Sequence, residues 1–151
     1  MLRTKLSETL KDSLRNKQER ITHTVRLILA ALKDRDIAAR PSGNTTGISE
    51  AEILQMMNGM IKQRRESIEM FEKGNRPELA KQEQEEIDII LSFMPKQMSD
   101  AEVAAAAKEA IAQTGAASVK DMGKVMAVLK EKYTGQMDFA KASGIVKAQF
   151  G

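Results

Sequence analysis

In 151 residues the sequence has no Cys, no Trp, one His (His23) and an aromatic content of only 3%. Each shortage removes a class of chemistry. Without thiols there is neither a disulfide scaffold nor a thiolate metal site, and the compartment expected is the reducing cytoplasm. With a single imidazole, the acid–base and nucleophilic devices that most enzymes use at neutral pH have few carriers. With so few rings, a core must be assembled from Leu, Ile, Val, Ala and the 10 Met, which suits helix packed on helix. The longest apolar runs, 27–32 and 103–107, fall far short of the ~20 residues of a spanning helix, and the first ten residues lack the apolar stretch of a secretory signal. No membrane partner is expected.

What is present is helical periodicity, punctuated by three Pro and nine Gly. Leu2, Leu6, Leu10 and Leu14 form one stripe, and Ile21, Val25, Ile28, Leu29 and Leu32 form the next, running to about Arg40 before a polar loop at 41–47. Ser49 with Glu52 predicts a capping box that opens a third helix burying Ile53, Met57, Met60, Ile61, Ile68 and Phe71. Gly74-Asn75-Arg76-Pro77 turns the chain into a fourth helix that buries Leu79, Ile87, Ile90, Leu91 and Met94, forming an antiparallel hairpin with the third.

Pro95 disfavours helix at Met94, and Ser99 with Glu102 predicts a second capping box, so a boundary falls here. The expected architecture is all-α: an N-terminal four-helix domain over residues 1–95 and a C-terminal three-helix bundle over 96–151. The bundle helices are predicted at about 99–113, 118–133 and 138–150, with stripes built on Val103, Ala107, Ala110 and Ile111, then Met122, Val125, Met126, Leu129 and Tyr133, then Ala142, Ile145, Val146 and Phe150.

Sites for covalent chemistry are scarce. His23 could begin a metal site with Glu83, Glu85, Glu86 and Asp88, but a di-iron bundle needs paired Glu-x-x-His elements; Arg20 occupies that spacing and there is no second His. His23 therefore reads as a partly exposed side chain beside Glu19, and 83–88 reads as a solvated acidic face. No nucleophile elbow, Walker loop or Gly-x-Gly-x-x-Gly stretch occurs. No catalytic residue, metal or cofactor is expected.

Charge is more informative. Net formal charge is +5 over residues 1–40, −4 over 41–95 and +2 over 96–151. Arg26, Lys33 and Arg40 recur every seven residues on one helical face, joined by Arg15 only if the first two helices are collinear; with Glu19, Asp34 and Asp36 nearby, an ordinary solvated face of mixed charge is the favoured reading and an anion-contact stripe the other. On the third helix Lys62 and Glu66, and Arg65 and Glu69, are spaced as i,i+4 pairs. In the tail, Lys120 and Lys124 stand near a helix start, where cations oppose the helix dipole and are not explained as stabilising devices. With Lys108, Lys130, Lys132, Lys141 and Lys147 they make the favoured anion-contact surface. Few rings accompany them, so any nucleic acid would be held by its phosphates and shape rather than by base stacking.

The stretches 24–27 (Thr-Val-Arg-Leu), 62–71 (Lys-Gln-Arg-Arg-Glu-Ser-Ile-Glu-Met-Phe), 87–98 (Ile-Asp-Ile-Ile-Leu-Ser-Phe-Met-Pro-Lys-Gln-Met) and 122–126 (Met-Gly-Lys-Val-Met) together resemble the GatB/YqeY-like family over nearly the whole chain. The chain resembles its free-standing branch; the other branch is the C-terminal tail of the B subunit of the glutamine-dependent aminoacyl-tRNA amidotransferase. The resemblance implies an all-α protein whose last three helices are similar to a tail that touches tRNA. It also implies a family-level association with carbon–nitrogen ligase activity using glutamine as amide donor, whose catalytic steps belong to other domains of that enzyme. One departure is local: the family's Gly, basic, Ala, Asp turn is Gly135-Gln136-Met137-Asp138 here, without the basic residue. Three readings follow: a tRNA-binding accessory module; a protein-interaction module docking on an amidotransferase or synthetase through Met56, Met57 and Met60; and a component of an amidotransferase.

Overall fold

In a computed structural model that describes residues 1–150, the described chain forms seven α-helices and no strand. It divides into two compact units, Met1–Met94 and Pro95–Gly151.

The first unit contains α1 (Leu2–Arg15), α2 (Glu19–Ala39), α3 (Glu50–Lys73) and α4 (Pro77–Leu91). Two antiparallel hairpins are evident from the residues they join. Arg3 at the start of α1 pairs with Asp36 at the end of α2 at 2.7 Å, and Ser13 at the end of α1 meets Thr22 at the start of α2, also at 2.7 Å. Across the second hairpin, Arg64 of α3 donates to Glu86 of α4 at 3.0 Å. The core is built from Leu6, Val25, Ile28, Ile53, Met57, Ile87 and Ile90.

Both reversals use a residue with positive φ, though neither uses Gly. α1 ends with Lys17 at φ 54°, closed by Gln18 N–H donating to the Ser13 carbonyl. α3 ends with Asn75 at φ 56° rather than at Gly74, closed by Arg76 N–H donating to the Phe71 carbonyl at 2.7 Å. Because the chain reverses at residues 16–18, Arg15 leaves the face that carries Arg26 and Lys33. It lies 3.9 Å from Asp12 instead.

Three sequence expectations need correction in this unit. Leu14 is 50% exposed, because the apolar stripe of α1 drifts off the core by its last turn. Met56 and Met57 are buried and Met60 packs against the same core, so they offer no docking face. Neither i,i+4 pair on α3 closes within 4.0 Å among the described residues, leaving Lys62, Arg65, Glu66 and Glu69 solvated.

The second unit contains α5 (Asp100–Thr114), α6 (Met122–Lys132) and α7 (Phe139–Gln149) around Val103, Ala107, Val125, Leu129, Ala142 and Val146. Ser99 and Glu102 form a complete, reciprocal capping box on α5, whereas Ser49 caps α3 only through its own side chain, with its hydroxyl turned toward Glu52. The segment predicted to be helical from 118 starts instead as a 3-10 turn at Val119–Asp121, because Asp121 Oδ2 accepts the Ala117 N–H at 3.0 Å and tightens the loop. Met137, outside every predicted stripe, is buried against this core. Among the described residues, no helix is long and apolar enough to cross a membrane.

Candidate nucleic-acid interface

The basic side chains of the second unit sit on its solvated faces. Lys108 projects from α5, Lys120 from the 3-10 turn, Lys124, Lys130 and Lys132 from α6, and Lys141 and Lys147 from α7; all are exposed. Their helices carry them outward because the opposite faces hold the buried Val125, Leu129, Ala142 and Val146.

Their partners differ. Lys141 Nζ lies 2.9 Å from Asp100, a pair open to solvent on both sides, and Lys132 donates to the Gln113 side-chain carbonyl at 2.9 Å. Among the described residues Lys108, Lys120, Lys124, Lys130 and Lys147 have no carboxylate within 4.0 Å. Asp121 stands between Lys120 and Lys124 in sequence, but its carboxylate is turned to the Ala117 N–H and does not neutralise them. The departing turn is tied down through its carbonyls: Met98 N–H donates to the Gln136 carbonyl at 2.8 Å, and the Gln97 side-chain amide Nε2 donates to the Gly135 carbonyl at 2.6 Å.

In the first unit Arg26 and Lys33 are exposed on α2, and Arg40 continues the helical backbone at φ −59°, ψ −43°. None of the three has a carboxylate within 4.0 Å among the described residues. Other basic residues are consumed internally. Arg3 forks onto both Asp36 oxygens at 2.7 and 2.8 Å, and this contact, with the Ile48 N–H, holds the Asp36 carboxyl down at about 2.

The acidic string of α4 is not the solvated face its composition implies. Glu86 is only 8% exposed and gathers Arg64 at 3.0 Å, Arg20 at 3.7 Å and His23 at 3.7 Å, while Arg20 also reaches Glu85 at 3.4 Å. His23 therefore stands against Glu86 of the neighbouring hairpin. Arg64 donates in addition to the Met60 carbonyl at 3.2 Å. Burial and the nearby Glu86 charge push the Glu83 carboxyl up, against the pull of Arg64. This cluster joins α2, α3 and α4, and every buried side-chain N or O among the described residues has a hydrogen-bond partner. Among the described residues no three His, Asp or Glu side chains are grouped to hold a metal ion.

The sequence profile of the family described as Yqey-like protein matches residues 3–150. The chain belongs to that family. Relatives of this Yqey-like chain include an uncharacterized protein of Schizosaccharomyces pombe, 24% identical over 63% of the chain and 73% of the relative. Another is the altered inheritance of mitochondria protein 41, mitochondrial, of Lachancea thermotolerans, 30% identical over 59% of the chain and 46% of the relative. The match thus spans under half of the second relative's length.

Proposed function

We propose that this protein is a tRNA-binding accessory module of the cytoplasm that grips phosphates through the lysines of its second unit and forms no covalent bond of its own. The observation that carries the reading is the pair Lys120 and Lys124, exposed at the start of α6 with the intervening acid turned away. Lysines used to stabilise a helix favour its C-terminal turn; these two occupy the unfavourable end, where a bound polyanion gives them a purpose. Lys108, Lys130, Lys132, Lys141 and Lys147 extend the contact surface, and Arg26, Lys33 and Arg40 form a secondary stripe on α2 and the turn after it. The resemblance of the last three helices to the amidotransferase tail supports tRNA as the polyanion. An amidotransferase or synthetase is the natural recipient of a tRNA held in this way.

The test is retention of bulk tRNA by the purified full chain as salt is raised. Affinity should fall steeply with salt, and Lys120→Glu with Lys124→Glu should abolish retention at moderate salt. Salt-insensitive retention, or retention unaffected by the double charge reversal, would end the reading.

A further inference from the structure

The corner between α1 and α2 holds a cleft of about 370 Å³ that shares His23 with the ion-pair cluster and Arg26 with the basic stripe of α2 but is otherwise lined by residues used in neither. We infer that it is a binding site for a small phosphorylated, hydroxyl-bearing metabolite of nucleotide size. A cleft of this volume lies in the range of small-molecule sites. Its contents are chemically divided. Lys17 and Arg26 line it, and among the described residues neither has a carboxylate within 4.0 Å, although Arg3, Arg20 and Arg64 of the same unit are all paired. A phosphoryl group is the anion that a guanidinium and an ammonium bind together.

The floor supplies acceptors. The Ser13 hydroxyl is within hydrogen-bond distance of the Leu10 carbonyl at 2.9 Å and of the Thr22 hydroxyl at 2.7 Å, and in the second contact either oxygen can donate. Whichever donates, the Thr22 oxygen keeps a lone pair, and Thr22 is one of the residues lining the cleft. The Glu19 carboxylate lines the same space with no cation within 4.0 Å among the described residues, a second acceptor suited to ligand hydroxyls. Leu14, half exposed instead of joining the core, provides an apolar wall, and the His23 ring provides a flat surface. Lys17 is held there by a backbone of φ 54°, where Gly is the less strained residue, so its side chain is kept at a conformational cost.

Titration of the full-length, isotope-labelled protein with AMP, and separately with inorganic phosphate, tests the assignment. AMP should produce saturable shifts confined to amides around Thr22, His23 and Arg26, and phosphate should move a subset of them more weakly. Arg26→Gln and Lys17→Gly should each weaken AMP binding about tenfold, the size of a lost charge-assisted contact. Lys17→Gly is the stringent variant, because it relaxes the turn while removing the cation; a purely structural role for Lys17 leaves AMP binding unchanged. The tail variant Lys120→Glu/Lys124→Glu should bind AMP normally, so loss of tRNA retention and loss of this site are separately visible. Absence of saturable shifts up to roughly 10 mM, well above the range of a specific millimolar site, or equal AMP affinity in a Lys17→Gly/Arg26→Gln double variant, would overturn the assignment.

Discussion

Arg64 and Glu86, twenty-two residues apart, meet at 3.0 Å across the α3–α4 hairpin with their side chains only 13% and 10% exposed. Arg20 and His23 approach the same carboxylate from α2, so one acid positions three elements. Its neighbour Glu83 is desolvated and repelled by Glu86, with Arg64 only at 3.9 Å to offset this.

The two acids should therefore respond in opposite directions. Glu86→Gln leaves the largely buried Arg64 with only the longer 3.9 Å contact to Glu83 and should cost about 2–4 kcal/mol. Glu83→Gln should be neutral or mildly stabilising at neutral pH. A carboxyl whose folded pKa is raised contributes stability below its unfolded value and loses that contribution as pH rises through the folded value, so removing the charge relieves a cost. Urea unfolding of both variants at pH 7 decides the matter; equal destabilisation would show that the cluster does not distinguish the two positions.

Asp36 gives the opposite pH signature. Its carboxyl is lowered from 3.8 to about 2, first by the Arg3 side-chain hydrogen bond and then by the Ile48 N–H. A depressed acid contributes stability present above its unfolded value and lost as pH falls through the folded one, so the loss belongs between about pH 4 and pH 2. Arg3→Ala should cost about 1–2 kcal/mol at neutral pH, because the pair is partly exposed and solvent screens it, and should flatten stability across that acid window. The same junction is sensitive to Gly47, at φ 105°, where an added Cβ would stand 2.6 Å from an Arg3 guanidinium nitrogen and 3.0 Å from an Asp36 oxygen. Gly47→Ala should match or exceed the loss from Arg3→Ala in the same denaturation series.

Lys17 is a position where sequence and backbone disagree. Gly in its place should stabilise the first unit by about 1 kcal/mol, since the left-handed conformation disfavours any residue with a Cβ. A rise of a few degrees in Tm is the expected result. An unchanged or lower Tm would mean that contacts of the Lys17 side chain outweigh the strain.

The helices were legible because apolar spacing, Pro and capping residues act locally. Ser99 and Glu102 fixed the start of α5 for that reason, and Ile53, Met57 and Ile61 fell on one face of α3. The Glu86 cluster was not legible, because α4's acidic run has the composition of a solvated face and its partners come from residues 20, 23 and 64. Arg64 was missed as a buried ion for the same reason, and only its pairing across the hairpin reveals it. Leu14 and Met137 failed at the margins, where a helix stripe drifts off the core and where a loop residue fills it. For the tail lysines, the sequence supplied their number and the structure their partners. Lys141 is bound to Asp100, and Lys120 and Lys124 are left without acids.

That last difference grades the tail by position. Removing Lys120 and Lys124 together by Ala substitution should lower the slope of log affinity against log salt by about two, one per lost phosphate contact. Lys141→Ala should change it by less, because Asp100 at 2.9 Å already competes for that ammonium. Asp100→Asn should then release Lys141 and strengthen tRNA retention at fixed salt. Its stability cost should stay near 0.3–1 kcal/mol, because Ser99 still caps α5 and the losses are the favourable charge at the helix start and a solvent-exposed pair. Filter retention of tRNA by the three variants over a salt series measures all of this at once. If Asp100→Asn and Lys141→Ala shift retention in the same direction, the Asp100–Lys141 pair is not what restrains the tail.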